Sequence, residues 1–257
     1  MLASGLTAQE ALAAGMARAG SPSEGRDVGV VFSLPRRTGA LVLPSSGDVG
    51  AQYTPAVGWA QAIRYRAETL HEKNWQGALA VALGGDGSVA ANGFWSALNI
   101  AAALQLPMLF FIEDNGYGIS VPSSLQTPHG NIAANLASFN GLTVIEADGA
   151  DPADASAKIA EAVSHVRGNN PCLLHMRVPR LGGHTFIDDQ AYKTAAQLAD
   201  DQARDPLPRL RQLLLNETMS PQEWDGMIEG ARAELREALA AAEANSQPDP
   251  THAGSRL

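Results

Sequence analysis

The stretch Ala78-Leu79-Ala80-Val81-Ala82-Leu83-Gly84-Gly85-Asp86-Gly87-Ser88 passes from an unbroken apolar run into a glycine-rich loop that carries one carboxylate. A short run without charge reads as a strand covered on both faces, as strands are in a parallel sheet flanked by helices. Three further runs are near-continuously apolar, at 106–112 (LPMLFFI), 142–145 (LTVI) and 172–178 (CLLHMRV). The segments 55–70, 90–105 and 153–167 are rich in Ala, Leu, Glu and Lys and stop near Gly, Pro or His, which predicts helices. Strand and helix alternate, so the chain is expected to be α/β, a mostly parallel sheet flanked by helices.

Composition narrows the function classes. A chain of 257 residues, 45% hydrophobic and 18% charged, can bury a core without disulfide or metal staples. No apolar run approaches the roughly 18 residues of a membrane span. A formal net charge of -9 argues against a dedicated nucleic-acid or anionic-membrane binder, which needs a basic stripe to neutralise phosphates. The single cysteine, Cys172, sits in an apolar strand and closes no disulfide within the chain, pointing to a reducing compartment. Residues 1–20 lack the basic start and apolar core of a secretory signal, so a cytoplasmic location is expected.

Past Pro179 the chain turns polar (180–193) and then helical, broken by Pro206, Pro208 and Pro221. The expected organisation is an α/β domain over 1–195, a helical C-terminal region over 196–244 and a disordered tail over 245–257. In the last helix Trp224, Met227, Ile228, Ala231, Leu235, Ala238, Leu239 and Ala242 share one face. That stripe is expected to cover its own domain or a partner subunit.

The chemistry concentrates at two loops. In an open parallel sheet, ligands bind beyond the carboxyl ends of the strands, where glycines let a phosphate approach backbone N–H groups. A carboxylate there repels a phosphate unless a cation lies between, so Asp86 in Gly85-Asp86-Gly87 points to a metal bridge. Asp beside Gly is also ordinary turn chemistry. Neither a P-loop lysine nor Gly-x-Gly-x-x-Gly spacing is present. The next strand runs into Glu113-Asp114-Asn115-Gly116-Tyr117-Gly118, a second oxygen-rich loop at the same edge if the two strands are parallel neighbours. Asp86, the Asn115 side-chain carbonyl and a nearby backbone carbonyl would offer Mg²⁺ three hard oxygen ligands, leaving its other positions to water and phosphate oxygens.

Gly85-Asp86-Gly87 with Asn115, and 93–102 (GFWSALNIAA) between them, is similar to the thiamine-diphosphate motif. More closely, the chain resembles the alpha subunit of the decarboxylating first component of 2-oxo acid dehydrogenase complexes. Val49-Gly50-Ala51-Gln52, Arg180-Leu181-Gly182-Gly183-His184-Thr185 with Asp188-Asp189 and Tyr192-Lys193, and Asp205-Pro206-Leu207-Pro208-Arg209 extend the likeness in order. The resemblance implies the thiamine-diphosphate-binding fold, with thiamine diphosphate and Mg²⁺ as cofactors. It implies Asp86, Asn115 and the Tyr117 main-chain carbonyl as metal ligands, with Gly85, Gly87 and Ser88 near the diphosphate. It implies that the backbone at Gly47 and Val49 contacts the aminopyrimidine ring. His184 is implied to be a loop histidine serving diphosphate and substrate-derived intermediate. It further implies a 2-oxo acid substrate, an α₂β₂ heterotetramer whose beta subunit supplies the activating glutamate, and a lipoyl-bearing acyltransferase as the acyl acceptor. No nucleic acid or membrane partner is implied.

Three departures qualify the likeness. Residues 1–6 align just after a Tyr-Arg segment that supplies a diphosphate-binding arginine, so the N-terminal portion of the alpha chain is expected to be absent. Asp114 stands where the family usually has Asn; its carboxylate either crowds the diphosphate or faces away. After Gly25-Arg26 many relatives carry a histidine where this chain reads Val28-Gly29-Val30-Val31-Phe32. The Asp188-Asp189 pair leans toward the branched-chain subgroup and Val49-Gly50-Ala51-Gln52 toward the pyruvate subgroup. A non-catalytic or split subunit acting as assembly partner, and an acetoin dehydrogenase alpha subunit, are the alternatives. His175 falls within a strand and reads as structural.

Overall fold

The computed structural model describes residues 2–26, 34, 40–43, 46–252 and 254. The chain divides into two compact units, Met1–Gly47 with Leu214–Leu257, and Asp48–Leu213. The expected boundary at 195/196 therefore falls inside the larger unit, and the N-terminal segment is grouped with the C-terminal helix.

The larger unit contains, in chain order, α2 (Tyr53–Arg64), β1 (Ala80–Gly85), α3 (Asn92–Leu104), β2 (Met108–Asp114), the short antiparallel pair β3 (Tyr117–Gly118) and β4 (Val121–Pro122), α4 (Ile132–Leu136), β5 (Thr143–Asp148), α5 (Pro152–Arg167), β6 (Cys172–Arg177) and α6 (Ala195–Ala203). α7 (Pro206–Glu217) runs across the division between the units. The four long strands form one parallel sheet in the order β1-β2-β6-β5. β1 and β2 run on to Gly85 and Asp114, where the apolar pattern stops at Leu83 and Ile112. The ladder joins backbone groups and needs no apolar side chain, so Gly84↔Ile112 and Gly85↔Glu113 still pair.

Alternation along the strands feeds two cores. Ala80, Ala82, Met108, Phe110, Ile112 and Leu173 pack against α2, α3 and α4. On the opposite face Leu109, Ile145, Cys172, Leu174 and Met176 pack against Ala162 and Val166 of α5. α5 starts where its sequence says it should: Asp151 accepts from the backbone N–H groups of Ala153 and Asp154, and Pro152 occupies the first turn. The second face is incompletely covered at β1, where Val81 and Leu83 are 46% and 65% exposed.

The smaller unit pairs α1 (Ala8–Gly15) with α8 (Pro221–Ala244). Both begin with capping boxes, Thr7 with Glu10 and Ser220 with Glu223. Asn245 and Ser246, at the start of the expected tail, are tied back: the Asn245 amide donates to the Ala19 carbonyl at 2.8 Å and the Ala19 N–H to Ser246 O at 3.1 Å. Only the ends of the apolar stripe, Trp224 and Ala242, are buried, while Met227, Leu235 and Leu239 stay exposed. Among the described residues no helix is long and apolar enough to cross a membrane.

One contact ties the first core to the end of β1. Tyr53 packs edge-on against Phe94 at 5.1 Å, and its hydroxyl lies over Gly84, where an added Cβ would collide with it and stand 2.5 Å from Ser88 Oγ. Gly84→Ala is expected to lower unfolding free energy by about 1–3 kcal/mol through overpacking. In denaturant titrations, adding Tyr53→Phe should recover part of that loss relative to Tyr53→Phe alone.

Candidate functional site

The last rung between β1 and β2 pairs Gly85 with Glu113, so the chain leaves the sheet at Asp86 and at Asn115 from adjacent strands. Asp86 opens a 3-10 turn, Asp86–Ala90, and is 4% exposed. One of its oxygens accepts the Asn115 N–H at 3.3 Å; Oδ2 is buried with no hydrogen-bond partner among the described residues. Burial, followed by the nearby charge of Asp114, pushes the Asp86 pKa from its ordinary 3.8 up to about 6, against lowering by the Asn115 N–H and Arg180.

The two loops interlock through glycine. A Cβ on Gly87 would stand 2.9 Å from Gly118 Cα and 3.2 Å from Gln126 Oε1. Asn115 Oδ1 accepts the Tyr117 N–H at 3.0 Å, and the Tyr117 carbonyl accepts from Arg180 Nη1 at 3.4 Å. The set is thus one carboxylate, one amide oxygen and one backbone carbonyl on two adjoining turns. Among the described residues no group of three His, Cys, Asp or Glu side chains could hold a metal ion.

Ser88 faces inward. Its hydroxyl lies 2.6 Å from both the Gly85 carbonyl and the Tyr53 hydroxyl. The carbonyl can only accept, so Ser88 donates to it and Tyr53 donates to Ser88. What the Ser88 side chain supports is therefore the backbone of Gly85. Val49 lies in an exposed turn ahead of α2, whose next residue, Gly50 (φ +87°), packs closely on Ala91 just beyond the Asp86 turn. Gly47 lies in a bend of the smaller unit. The departure at 28–32 lies outside the described residues.

Sequence reasoning assigned no role to Arg180, which is 6% exposed. Its guanidinium sits 5.9 Å from the Tyr117 ring and 5.7 Å from the Tyr192 ring, with Nη2 3.6 Å from Asp188 Oδ2. Asp188 organises the loop that follows, accepting the His184 N–H at 2.7 Å, the Gln190 N–H at 2.9 Å and the Tyr192 hydroxyl at 3.0 Å. His184 is consequently held by its backbone on an exposed loop, two residues before the fully exposed Phe186. The Asp114 carboxylate, whose direction the sequence left open, is tied to the Gly116 N–H at 2.9 Å and to His175 Nε2 at 2.7 Å. The only hint in the sequence was a histidine placed in the strand next to an acidic strand end.

A strand-exit pair of this kind, with glycines packed backbone to backbone, stands where open parallel sheets bind their ligands, at the carboxyl edge of the strands. The family model for the dehydrogenase E1 component matches residues 1–251, and the chain belongs to that family. It is 32% identical over 195 residues to the pyruvate dehydrogenase E1 component subunit alpha of Staphylococcus aureus, covering 74% of this chain and 50% of that protein. The Bacillus subtilis protein of the same name is 30% identical, covering 79% and 53%. The 3-methyl-2-oxobutanoate dehydrogenase subunit alpha of Mycobacterium tuberculosis is 33% identical, covering 76% and 53%. The chain spans about half the length of the curated relatives it matches.

The loop makes a pH prediction. Hydrogen bonds from the His184 and Gln190 backbones hold the Asp188 carboxyl below its ordinary value, so the order it confers is complete above that value and lost as pH falls through the lowered one. Hydrogen exchange should show the His184 and Gln190 amides protected at neutral and mildly acidic pH. In Asp188→Ala they should exchange about tenfold faster or more at neutral pH; equal protection in that variant would refute the assignment.

Proposed function

We propose that this chain acts as the alpha subunit of a thiamine-diphosphate-dependent 2-oxo acid dehydrogenase, holding Mg²⁺ through Asp86, Asn115 and the Tyr117 carbonyl. The observation that carries this reading is Asp86 Oδ2, a carboxylate oxygen buried without a partner at a glycine-lined strand exit. Burying such an atom unpaired is costly, and a divalent cation is the partner that would satisfy it. A set with one carboxylate suits Mg²⁺, which keeps positions for water and phosphate oxygens. The donor set therefore fits the metal.

When bound, thiamine diphosphate supplies a carbanion that adds to the 2-oxo carbon and a ring that accepts the electron pair released with CO₂. The protein's part is binding and orientation. Asp86, Asn115 and the Tyr117 carbonyl would hold the cation, the Gly85-Asp86-Gly87 turn would lie near the diphosphate, and Ser88 braces Gly85. Backbone at Val49 would contact the aminopyrimidine, and His184 would serve the diphosphate and the substrate-derived intermediate from its loop. A beta subunit supplies the activating glutamate in an α₂β₂ assembly, and a lipoyl group on an acyltransferase component accepts the acyl unit in the cytoplasm. The relatives named for pyruvate and for 3-methyl-2-oxobutanoate stand at 32% and 33% identity, which supports the class of 2-oxo acid rather than one member.

The test is calorimetric titration of thiamine diphosphate into the complex of this chain with its beta subunit, with and without Mg²⁺. Binding should require Mg²⁺ and weaken about a hundredfold or more in Asp86→Ala. The wild-type complex should decarboxylate pyruvate or branched 2-oxo acids with an artificial electron acceptor. Equal binding by Asp86→Ala would overturn the metal assignment; a well-formed complex that binds no cofactor would make the chain an assembly partner.

A further inference from the structure

A buried polar pair sits inside the sheet. β2 and β6 are parallel neighbours with Ile112 opposite His175, and Asp114 lies two residues beyond Ile112 on the same face. His175 is 1% exposed, and its Nε2 reaches Asp114 Oδ2 at 2.7 Å. The other oxygen, Oδ1, accepts the Gly116 N–H at 2.9 Å, so both oxygens of this carboxylate are engaged. His175 Nδ1 is buried without a hydrogen bond, and Glu146 Oε2, on the next strand, lies 3.6 Å away. The Nε2–H tautomer accounts for this pattern. It donates to Asp114 and leaves only a lone pair unpaired at Nδ1, a smaller penalty than a buried N–H without an acceptor.

We propose that His175 is a positioning residue for the cation site: by clamping Asp114 it fixes the turn that presents Asn115 and Tyr117, and it keeps the Asp114 carboxylate from competing with Asp86 for the cation. This rests on the function proposed above. The chain of contacts is continuous. His175 holds Asp114 Oδ2, Asp114 Oδ1 closes the turn on Gly116, Asn115 Oδ1 closes the next turn on Tyr117, and the Asn115 N–H meets Asp86. Removing the ring's N–H leaves a carboxylate next to a ligand residue with one hydrogen bond instead of two, free to swing toward any cation held by Asp86. A neutral amide at 114 would have no charge to restrain. Asp114 and His175 thus form one unit, in which the buried ring holds the carboxylate beside the candidate ligand residue.

The experiment measures Mg²⁺-dependent thiamine diphosphate affinity of the full chain assembled with its beta subunit, alongside thermal unfolding of each complex. His175→Phe, which keeps a ring and loses the donor, should weaken the apparent Mg²⁺ affinity about tenfold or more, the range for lost outer-shell partners. His175→Gln, which can still donate an N–H, should lie nearer wild type. The decisive variant is His175→Phe/Asp114→Asn, expected to return to within about threefold of wild type because the uncompensated charge is gone. His175→Phe with wild-type affinity overturns the proposal, as does a loss that tracks unfolding temperature in every variant and is not rescued by Asp114→Asn. The wild-type and Asp86→Ala titrations separate the two readings. If wild type binds without needing Mg²⁺ or Asp86, the cation site itself falls, and the role of His175 falls with it.

Discussion

The parallel pairing of β1 with β2 is the constraint from which the site follows. Because Gly85 and Glu113 form the last rung, Asp86 and Asn115 leave the sheet from adjacent strands, though they are 29 positions apart in the chain. Backbone ladders set this proximity; the loops only have to avoid spoiling it. That explains the glycines. Gly84 lies beneath the Tyr53 hydroxyl and Ser88, where a side chain would displace that brace, and Gly87 lies against Gly118, where a side chain would push one loop off the other. Tyr53, with its pKa raised by burial to about 12, remains a neutral phenol that can brace Ser88 without bringing a charge into the core.

Two carboxylates at neighbouring strand exits create an electrostatic problem, and the structure treats them unequally. Asp114 is satisfied at both oxygens by Gly116 and His175, whereas Asp86 has one long N–H contact at 3.3 Å and one open oxygen. The proposed roles rest on this inequality. A group already hydrogen-bonded gains little from a cation, and a buried oxygen without a partner gains most. Arg180 contributes positive charge without closing the gap, because it reaches the Tyr117 carbonyl and stacks over tyrosines rather than bonding to Asp86.

Much of this was legible in the chain because apolar periodicity and glycine placement reflect the same packing that builds the sheet. The four long strands and the helices α2, α3 and α5 follow from their runs, the short α4 does not, and Gly85-Asp86-Gly87 with Asn115 marks the strand exits. The ends of β1 and β2 were not legible, since Gly85 and Asp114 stay in the ladder through backbone bonds that no apolar side chain advertises. Nor was the direction of Ser88, which depends on a tyrosine 35 positions earlier. Pairing between His175 and Asp114 needs the register of two strands 61 positions apart. The grouping of 1–47 with 214–257 rests on contacts between distant helices, α1 and α8, whose stripes do not name their partner.

The loop carrying His184 shows how a surface segment can be ordered without a packed core of its own. Its exposed residues, Phe186 among them, bury too little to order it by packing. Order comes from one carboxylate: Asp188 collects two backbone N–H groups and a tyrosine hydroxyl, and lies 3.6 Å from the Arg180 guanidinium. Gly183 allows this turn to close, because a Cβ there would collide with the Asp188 backbone. Arg180 in turn bonds to the carbonyl of Tyr117, so the loop is anchored to the same turn that carries the candidate ligands. Ordering a loop on binding costs conformational entropy, and a loop already closed on itself has met most of that cost in folding. Anchor and candidate cation site share Tyr117, so a shift in that turn moves the base of the His184 loop as well.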